Sequence, residues 1–287
     1  MCAIFGIAFL DNHKFRNNNA LSQLINNLMT ECQDRGRDAT GLAFVHKQRI
    51  AVIKHNVKAD RFSRLKAVKN AVKIYADLKK VDGPEKLKMI LGHCRQETKG
   101  THKIKHNNHP IITDKVVGVH NGIIRNDDAL FANYATVPEI IRKGSVDSEV
   151  IFRLIDYYSN QKGIGTKYGI IDTCNKLEGT FACAMVNKRD NDVLWLFKAR
   201  NPTDVLYYPK AGVVIFASAN WYIKRAIHLL GVHLSTDFGA CKEIEYPPES
   251  ALSINVLTRK AHRFNIYKTN ERRPATTEAG VFGINYG

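Results

Sequence analysis

The chain has 287 residues, with 43 Lys+Arg against 27 Asp+Glu and a formal net charge of +16. A hydrophobic content of 44% and a charged content of 24% exclude a wholly disordered chain, and no apolar stretch approaches the roughly 20 residues that span a bilayer. The opening MCAIFGIAFLDNHK lacks the basic start and apolar length of a secretion signal, so the expectation is a soluble, cytoplasmic protein with no membrane partner.

In chain order, residues 3–10 form an apolar run that fits a buried strand. Residues 18–32 place Leu21, Leu24, Ile25, Leu28 and Met29 on one helical face. Residues 41–46 and 50–54 read as a hairpin around Lys47-Gln48-Arg49, and residues 60–80 as one basic amphipathic helix carrying Phe62, Leu65, Val68, Val72, Tyr75 and Leu78. A strand over 86–94 precedes a polar loop over 95–110. Another strand, 116–120, ends at Asn121-Gly122, and helices follow over 148–160 and 167–177.

The second half is richer in strands: 180–187, 193–198, 205–208 and 213–218, then a helix over 220–230 with Asn220 as cap, then strands over 251–256 and 262–267. Strands and helices come in blocks, which predicts an α+β fold of two packed antiparallel sheets flanked by helices rather than a doubly wound parallel sheet. The expected organisation is one domain over residues 2–268 and a polar tail over 269–287.

The six cysteines form no CxxC pair and no metal-ligand spacing, so neither a metal nor a disulfide framework is expected. The positive charge leaves nucleic acid open as a partner. The basic residues are spread widely, however, and no zinc-finger, ribonucleoprotein or helix-turn-helix pattern accompanies them, so a solvated basic surface is favoured.

Cys2 has a distinctive position. If Met1 is removed, Cys2 carries a thiol nucleophile next to a free α-amine of pKa about 7.7–8, so one residue supplies nucleophile and base. Separated segments then follow: Arg35-Gly36-Arg37-Asp38 with Gly41, Gly92-His93-Cys94-Arg95, Thr98 with Gly100, Asn108-His109-Pro110, His120-Asn121-Gly122, Val146-Asp147-Ser148 and Leu177-Glu178-Gly179-Thr180. In this order and at these separations the chain resembles the class II (N-terminal cysteine) glutamine amidotransferases, with the closest look to the glutaminase domain of glucosamine-6-phosphate synthase. The resemblance runs from Cys2 to about Ser218 and thins beyond.

The resemblance implies a four-layer αββα sandwich of the N-terminal nucleophile hydrolase type and no cofactor. It implies that Cys2 attacks the side-chain amide of L-glutamine to form a γ-glutamyl thioester and release ammonia. Asn121 and Gly122 would supply the oxyanion hole, Arg95 would hold the substrate α-carboxylate and Asp147 its α-ammonium. Thr98 and His109 fall at pocket-loop positions. Outside that context Asn121-Gly122 reads as a hairpin turn and Asp147 as a helix cap. Gln96 and Lys99 depart from the family pattern, which usually has an aromatic residue and a histidine there. No P-loop, isomerase or pyrophosphatase segment is recognised, so the expectation is a stand-alone domain supplying ammonia to a separate synthase. The alternatives are a γ-glutamyl amide or peptide hydrolase of the same chemistry and a non-catalytic, nucleic-acid-associated protein.

Overall fold

In a computed structural model that describes residues 1–267 and 277–279, the first apolar run becomes β1 (Ala3–Phe9). Phe5, Ile7 and Phe9 enter one apolar cluster, and Ile4 and Ala8 enter another. A strand that is apolar on both faces belongs in the interior of a doubly covered sheet, and the remaining elements build that environment. The chain continues through α1 (Asn18–Cys32), β2 (Ala39–His46), β3 (Ile50–His55), α2 (Ala59–Phe62), α3 (Lys66–Tyr75) and β4 (Leu87–Arg95). Next come β5 (Ile111–Ile112), β6 (Val116–Ile124), α4 (Asp127–Asn133), α5 (Ser148–Asp156), α6 (Thr166–Cys174), β7 (Gly179–Asn187) and β8 (Asp190–Lys198). The last group is β9 (Asp204–Tyr208), β10 (Val213–Ala217), α7 (Asn220–His228), α8 (Val232–Ser235), β11 (Lys242–Glu243), β12 (Ser250–Asn255), β13 (Lys260–Asn265) and β14 (Thr277–Ala279).

The strands form two seven-stranded sheets, ordered β11-β9-β10-β1-β4-β2-β3 and β14-β13-β12-β8-β7-β6-β5. Each recorded pairing is antiparallel, as between β1 and β4 or β6 and β7. Helices α1 and α7 cover the outer face of the first sheet, and α5 and α6 that of the second. Small and medium apolar side chains, among them Ala8, Ala43, Val117, Val119, Ala182 and Ala184, fill the layer between the sheets. The fold is therefore the α+β, four-layer sandwich of two antiparallel sheets that the blocks of strands and helices predict. Among the described residues no helix is long and apolar enough to cross a membrane.

Local departures from expectation have physical causes. The helix expected over 60–80 breaks into α2 and α3, because the Ser63 hydroxyl donates back to the Asp60 carbonyl (3.0 Å) and Leu65 is extended. Its apolar stripe survives the break, with Phe62, Val68 and Val72 buried together. The helix expected over 148–160 ends as α-helix at Asp156 and continues through one π-helical turn to Gln161. Asn220 does not cap α7; its own N–H is capped by the Asp204 carboxylate from β9 (2.7 Å). Most of the 269–287 tail, with the boundary expected at 268, lies outside the described residues, and within it Thr277–Ala279 pair with β13 as β14.

Gly6 shows how tightly β1 is held. It pairs with Leu91 on one side and Phe216 on the other, and a Cβ there would lie 2.3 Å from the Ile90 carbonyl oxygen and 2.5 Å from the Phe216 ring. The carbonyl is backbone and cannot swing aside. Gly6→Ala is expected to lower the unfolding free energy by about 1–3 kcal/mol, measured by urea denaturation; an unchanged midpoint would contradict this packing.

Candidate active site

The register of β1 on β4 sets Ala3 opposite Cys94, so Cys2 emerges beside Arg95 at the end of β4. The end of β1 is clipped in place by Ser218, whose hydroxyl accepts the Ile4 N–H (3.0 Å) and whose N–H donates to the Ile4 carbonyl (2.9 Å). Cys2 is half-buried. Its Sγ accepts the Gln96 N–H (3.4 Å) and donates to the Gln96 carbonyl (3.4 Å). Burial pushes the thiol pKa up, opposed first by the Gln96 backbone bond and then by the Arg95 charge, while Asp147 adds to the rise. A thiol held above its ordinary value stays protonated near neutral pH and needs a base to become a nucleophile. Met1 is 74% exposed and its Sδ accepts a contact from Arg35 Nη2 (3.5 Å).

Arg95 is buried, and its guanidinium is held by the loop that follows it. Nη1 donates to Asn108 Oδ1 (2.8 Å), and Nη2 to the Lys99 carbonyl (2.9 Å) and the Gly100 carbonyl. Asn108 is anchored in turn: its Nδ2 donates to the His102 carbonyl (2.6 Å), and its carbonyl accepts Lys54 Nζ (2.5 Å), which also reaches the Pro110 carbonyl (2.9 Å). Burial, and then the neighbouring Lys105 charge, bring the Lys54 pKa down to about 8. Thr98 sits exposed on this loop, and its side chain makes no hydrogen bond among the described residues.

Asn121 and Gly122 lie inside β6 rather than at a turn, opposite Ala182 and Phe181 of β7. Gly122 has φ +155°, and a Cβ on it would fall 1.9 Å from the Thr180 carbonyl oxygen, so only glycine permits this approach of β7. The Asn121 backbone carbonyl accepts Asn201 Nδ2 (2.8 Å), yet its buried side-chain amide has no partner for either Nδ2 or Oδ1 among the described residues. Such a group costs about 1–3 kcal/mol of stability and asks for a ligand.

Asp147 is buried ahead of α5 and makes no cap bond to that helix. Its Oδ2 accepts the Ile124 N–H at the end of β6 (2.7 Å), and its Oδ1 accepts the Ser148 hydroxyl (3.5 Å). Asp147 therefore ties the strand bearing Asn121 to α5. Cys2, Arg95 and Asp147 are close enough to act on one another electrostatically.

Behind these residues three histidines are buried where the sheets meet. The His93 ring stacks on His109 (centroids 4.0 Å), and His109 lies 6.4 Å from His120. His93 Nε2 bonds to the His120 carbonyl (2.9 Å) and His120 Nδ1 to the Ser148 hydroxyl (2.7 Å), whereas neither ring nitrogen of His109 has a partner among the described residues. Burial lowers all three pKa values, that of His93 to about 3. Among the described residues no group of three or more His, Cys, Asp or Glu side chains could hold a metal ion.

Residues 93–225 match the family described as glutamine amidotransferase domain. The chain is 29% identical over 204 residues to the glutamine–fructose-6-phosphate aminotransferase (isomerizing) of Staphylococcus aureus, and 28% identical over the same length to that of Staphylococcus epidermidis. The chain is thus similar to class II glutamine amidotransferases over this part of its length. The aligned part is 70% of this chain and 30% of each relative, so the chain spans under a third of their length. The fold of the domain is that of known amidotransferases. It resembles the glutamine phosphoribosylpyrophosphate amidotransferase of Bacillus subtilis (TM-score 0.63, 18% identity, covering 95% of this chain and 50% of that one). A similar likeness holds to the allosteric regulatory enzyme of purine biosynthesis (TM-score 0.64, 17% identity, 96% and 54%).

Several residues of the amidotransferase domain were not singled out from sequence. Lys54 belongs to a strand far from any motif, Asn201 acts through one bond to the Asn121 carbonyl, and Ser218 brackets Ile4 from both sides of its peptide. Asp38 accepts Gln96 Nε2 (3.0 Å) and the Glu97 N–H (2.6 Å), which seats the backbone that clasps Cys2; its place in the Arg35–Asp38 motif was the available signal.

The histidines make stability depend on pH. Their folded pKa values lie below the unfolded value of about 6.5, so the unfolded chain binds more protons as pH falls. The contribution of each is complete above pH 6.5 and declines below it, by up to about 1.4 kcal/mol per pH unit. Urea midpoints are expected to drop between pH 6.5 and 4.5, and His109→Phe to drop less steeply; parallel profiles for the two proteins would rule out this linkage.

Proposed function

We propose that the domain hydrolyses L-glutamine to glutamate and ammonia through a γ-glutamyl thioester on Cys2. The observation that carries this reading is the buried, unpartnered side-chain amide of Asn121 inside β6, on the strand that Asp147 holds. A buried donor kept free of protein partners suits an oxyanion that exists only during reaction. The Gly122 N–H is the proposed second donor, at a residue where β7 comes too close for any side chain.

The steps follow from the groups present. After removal of Met1, the neutral α-amine of Cys2 takes the thiol proton, which burial would otherwise retain. The thiolate adds to the amide carbon, and the negative oxygen rests between Asn121 and Gly122. The tetrahedral adduct collapses as the ammonium form of that amine protonates the leaving nitrogen, so ammonia departs and the thioester remains. Water, losing a proton to the amine, then adds to the thioester carbon; glutamate leaves and the thiol is restored.

Arg95 fits the substrate α-carboxylate, since its guanidinium is already oriented by Asn108, Lys99 and Gly100. Asp147 fits the α-ammonium, and Thr98 and His109 belong to the flanking loop. The ammonia is proposed to pass to a separate synthase; in the relatives named as aminotransferases the matched part is 30% of the length.

Intact mass is expected to show loss of Met1 in active protein, and Cys2→Ala to abolish glutamate formation. Asn121→Ala should lower kcat about 10²–10³-fold with little change in KM. Full turnover with Met1 retained, or wild-type kcat in the Asn121 variant, would defeat the mechanism. Faster turnover of a γ-glutamyl peptide than of glutamine would transfer the same chemistry to that substrate.

A further inference from the structure

Lys99, at which the chain departs from its family pattern, sits in an ion cluster that the mechanism does not use. Its Nζ donates to both oxygens of Asp127 (2.7 and 2.7 Å) and to Asp128 Oδ2 (2.8 Å). Arg142 approaches the same two carboxylates from the other side, at Asp127 Oδ2 (3.0 Å) and Asp128 Oδ1 (2.5 Å). Its Nε donates to the Gly144 carbonyl (2.8 Å), and its guanidinium lies 4.8 Å from the centre of the Phe131 ring. Asp127 is 1% exposed, and the two cations are its ion-pair partners.

The three segments joined here are those that bear the proposed substrate contacts. Lys99 is on the loop after Arg95 and itself supplies a carbonyl to the Arg95 guanidinium. Asp127 and Asp128 open α4, which directly follows the β6 strand of Asn121 and Gly122. Arg142 precedes Asp147 on a segment that Glu149 also holds, accepting the N–H groups of Lys143 (2.9 Å) and Gly144 (2.7 Å). No other ion pair among the described residues bridges any two of these three segments; the neutral tie beside it is Asn107, whose Oδ1 accepts the Ser145 N–H (2.7 Å).

We propose that the Lys99–Asp127–Asp128–Arg142 cluster is a latch that sets Arg95 in register with the oxyanion strand and with Asp147, making Lys99 a positioning residue for substrate binding. This rests on the proposed glutaminase activity for its kinetic consequence, but not for its structural one. With Lys99 tied down, the Lys99 and Gly100 carbonyls stay where the Arg95 guanidinium needs them. When the tie is cut, the 99–100 end of the loop loosens, and with it the two carbonyls that orient the guanidinium, while Asn107 and Asn108 hold the far end and Cys2, Asn121 and Gly122 keep their places. The cost therefore falls on glutamine binding rather than on bond breaking. The Lys99 side chain is 38% exposed and that of Asp128 71%, so added salt weakens this arm of the latch.

Steady-state glutamine hydrolysis by the Met1-processed full chain tests this. Lys99→Ala is expected to raise KM for glutamine about ten-fold, the scale of one lost charge-assisted contact, with kcat within about three-fold; Lys99→Arg should recover most of the loss. Asp128→Asn should shift KM in the same direction, and the double variant should add little to Lys99→Ala. An unchanged KM in Lys99→Ala, or a drop in kcat that Arg does not rescue, overturns the proposal. Amide hydrogen exchange without glutamine gives a second, catalysis-independent readout. Lys99→Ala should speed exchange in 99–108 and also in 143–146, whereas acceleration confined to 99–108 also overturns it. If the wild-type protein turns over no glutamine, the functional proposal fails and the exchange result alone decides the latch.

Discussion

Antiparallel pairing of β1 with β4 is the constraint on which the site depends. It places the residue before β1 next to the residue that ends β4, so Cys2 meets Arg95 and Gln96 without any loop having to close a long gap. β1 is flanked by β10 on its other side and buried on both faces, so its register cannot slip by one residue without turning Phe5 and Ile7 into the space of Ile4 and Ala8. Cys2 is thus located by core packing rather than by a loop.

The second sheet reaches the same place by another route. His93 on β4 bonds to the His120 carbonyl on β6, which joins the sheets directly behind Asn121. Asp147 then fixes the far end of β6 through the Ile124 N–H. Each of these polar contacts is buried, where hydrogen bonds are strong and unpaired groups are costly. Among the described residues the Asn121 amide and the His109 ring nitrogens have no hydrogen-bond partner, so the region behind Cys2 gives up stability that an apolar core would have kept. That pattern, an ordered frame around a few unsatisfied groups, suits the oxyanion proposed for the reaction.

Much of this was legible in the residues. Block-wise strands and helices indicated the sandwich, and the separated motifs named Cys2, Arg95, Asn121, Gly122, His109 and Asp147, all of which fall in one region. Local rules taken alone misread two of these sites. Asn121-Gly122 has the composition of a turn, but β7 pairs straight across it and makes it part of a strand. Asp147 has the position of a cap, but the Ile124 N–H, distant in sequence, takes its carboxylate. In both cases a long-range partner outcompeted the neighbours that a local rule counts.

The sequence by itself determined the layer architecture, through its blocks of strands and helices, and the inventory of candidate groups, through separated motifs that carry a family resemblance. Only the tertiary structure decided how those groups are held. Lys54 on Asn108, Asn201 on Asn121, Ser218 on Ile4, and Lys99 with Arg142 on Asp127 and Asp128 are contacts between segments apart in the chain. A hydrogen bond or ion pair of that kind leaves no periodic trace in the sequence, because its partner is chosen by the folded path of the backbone rather than by spacing along it.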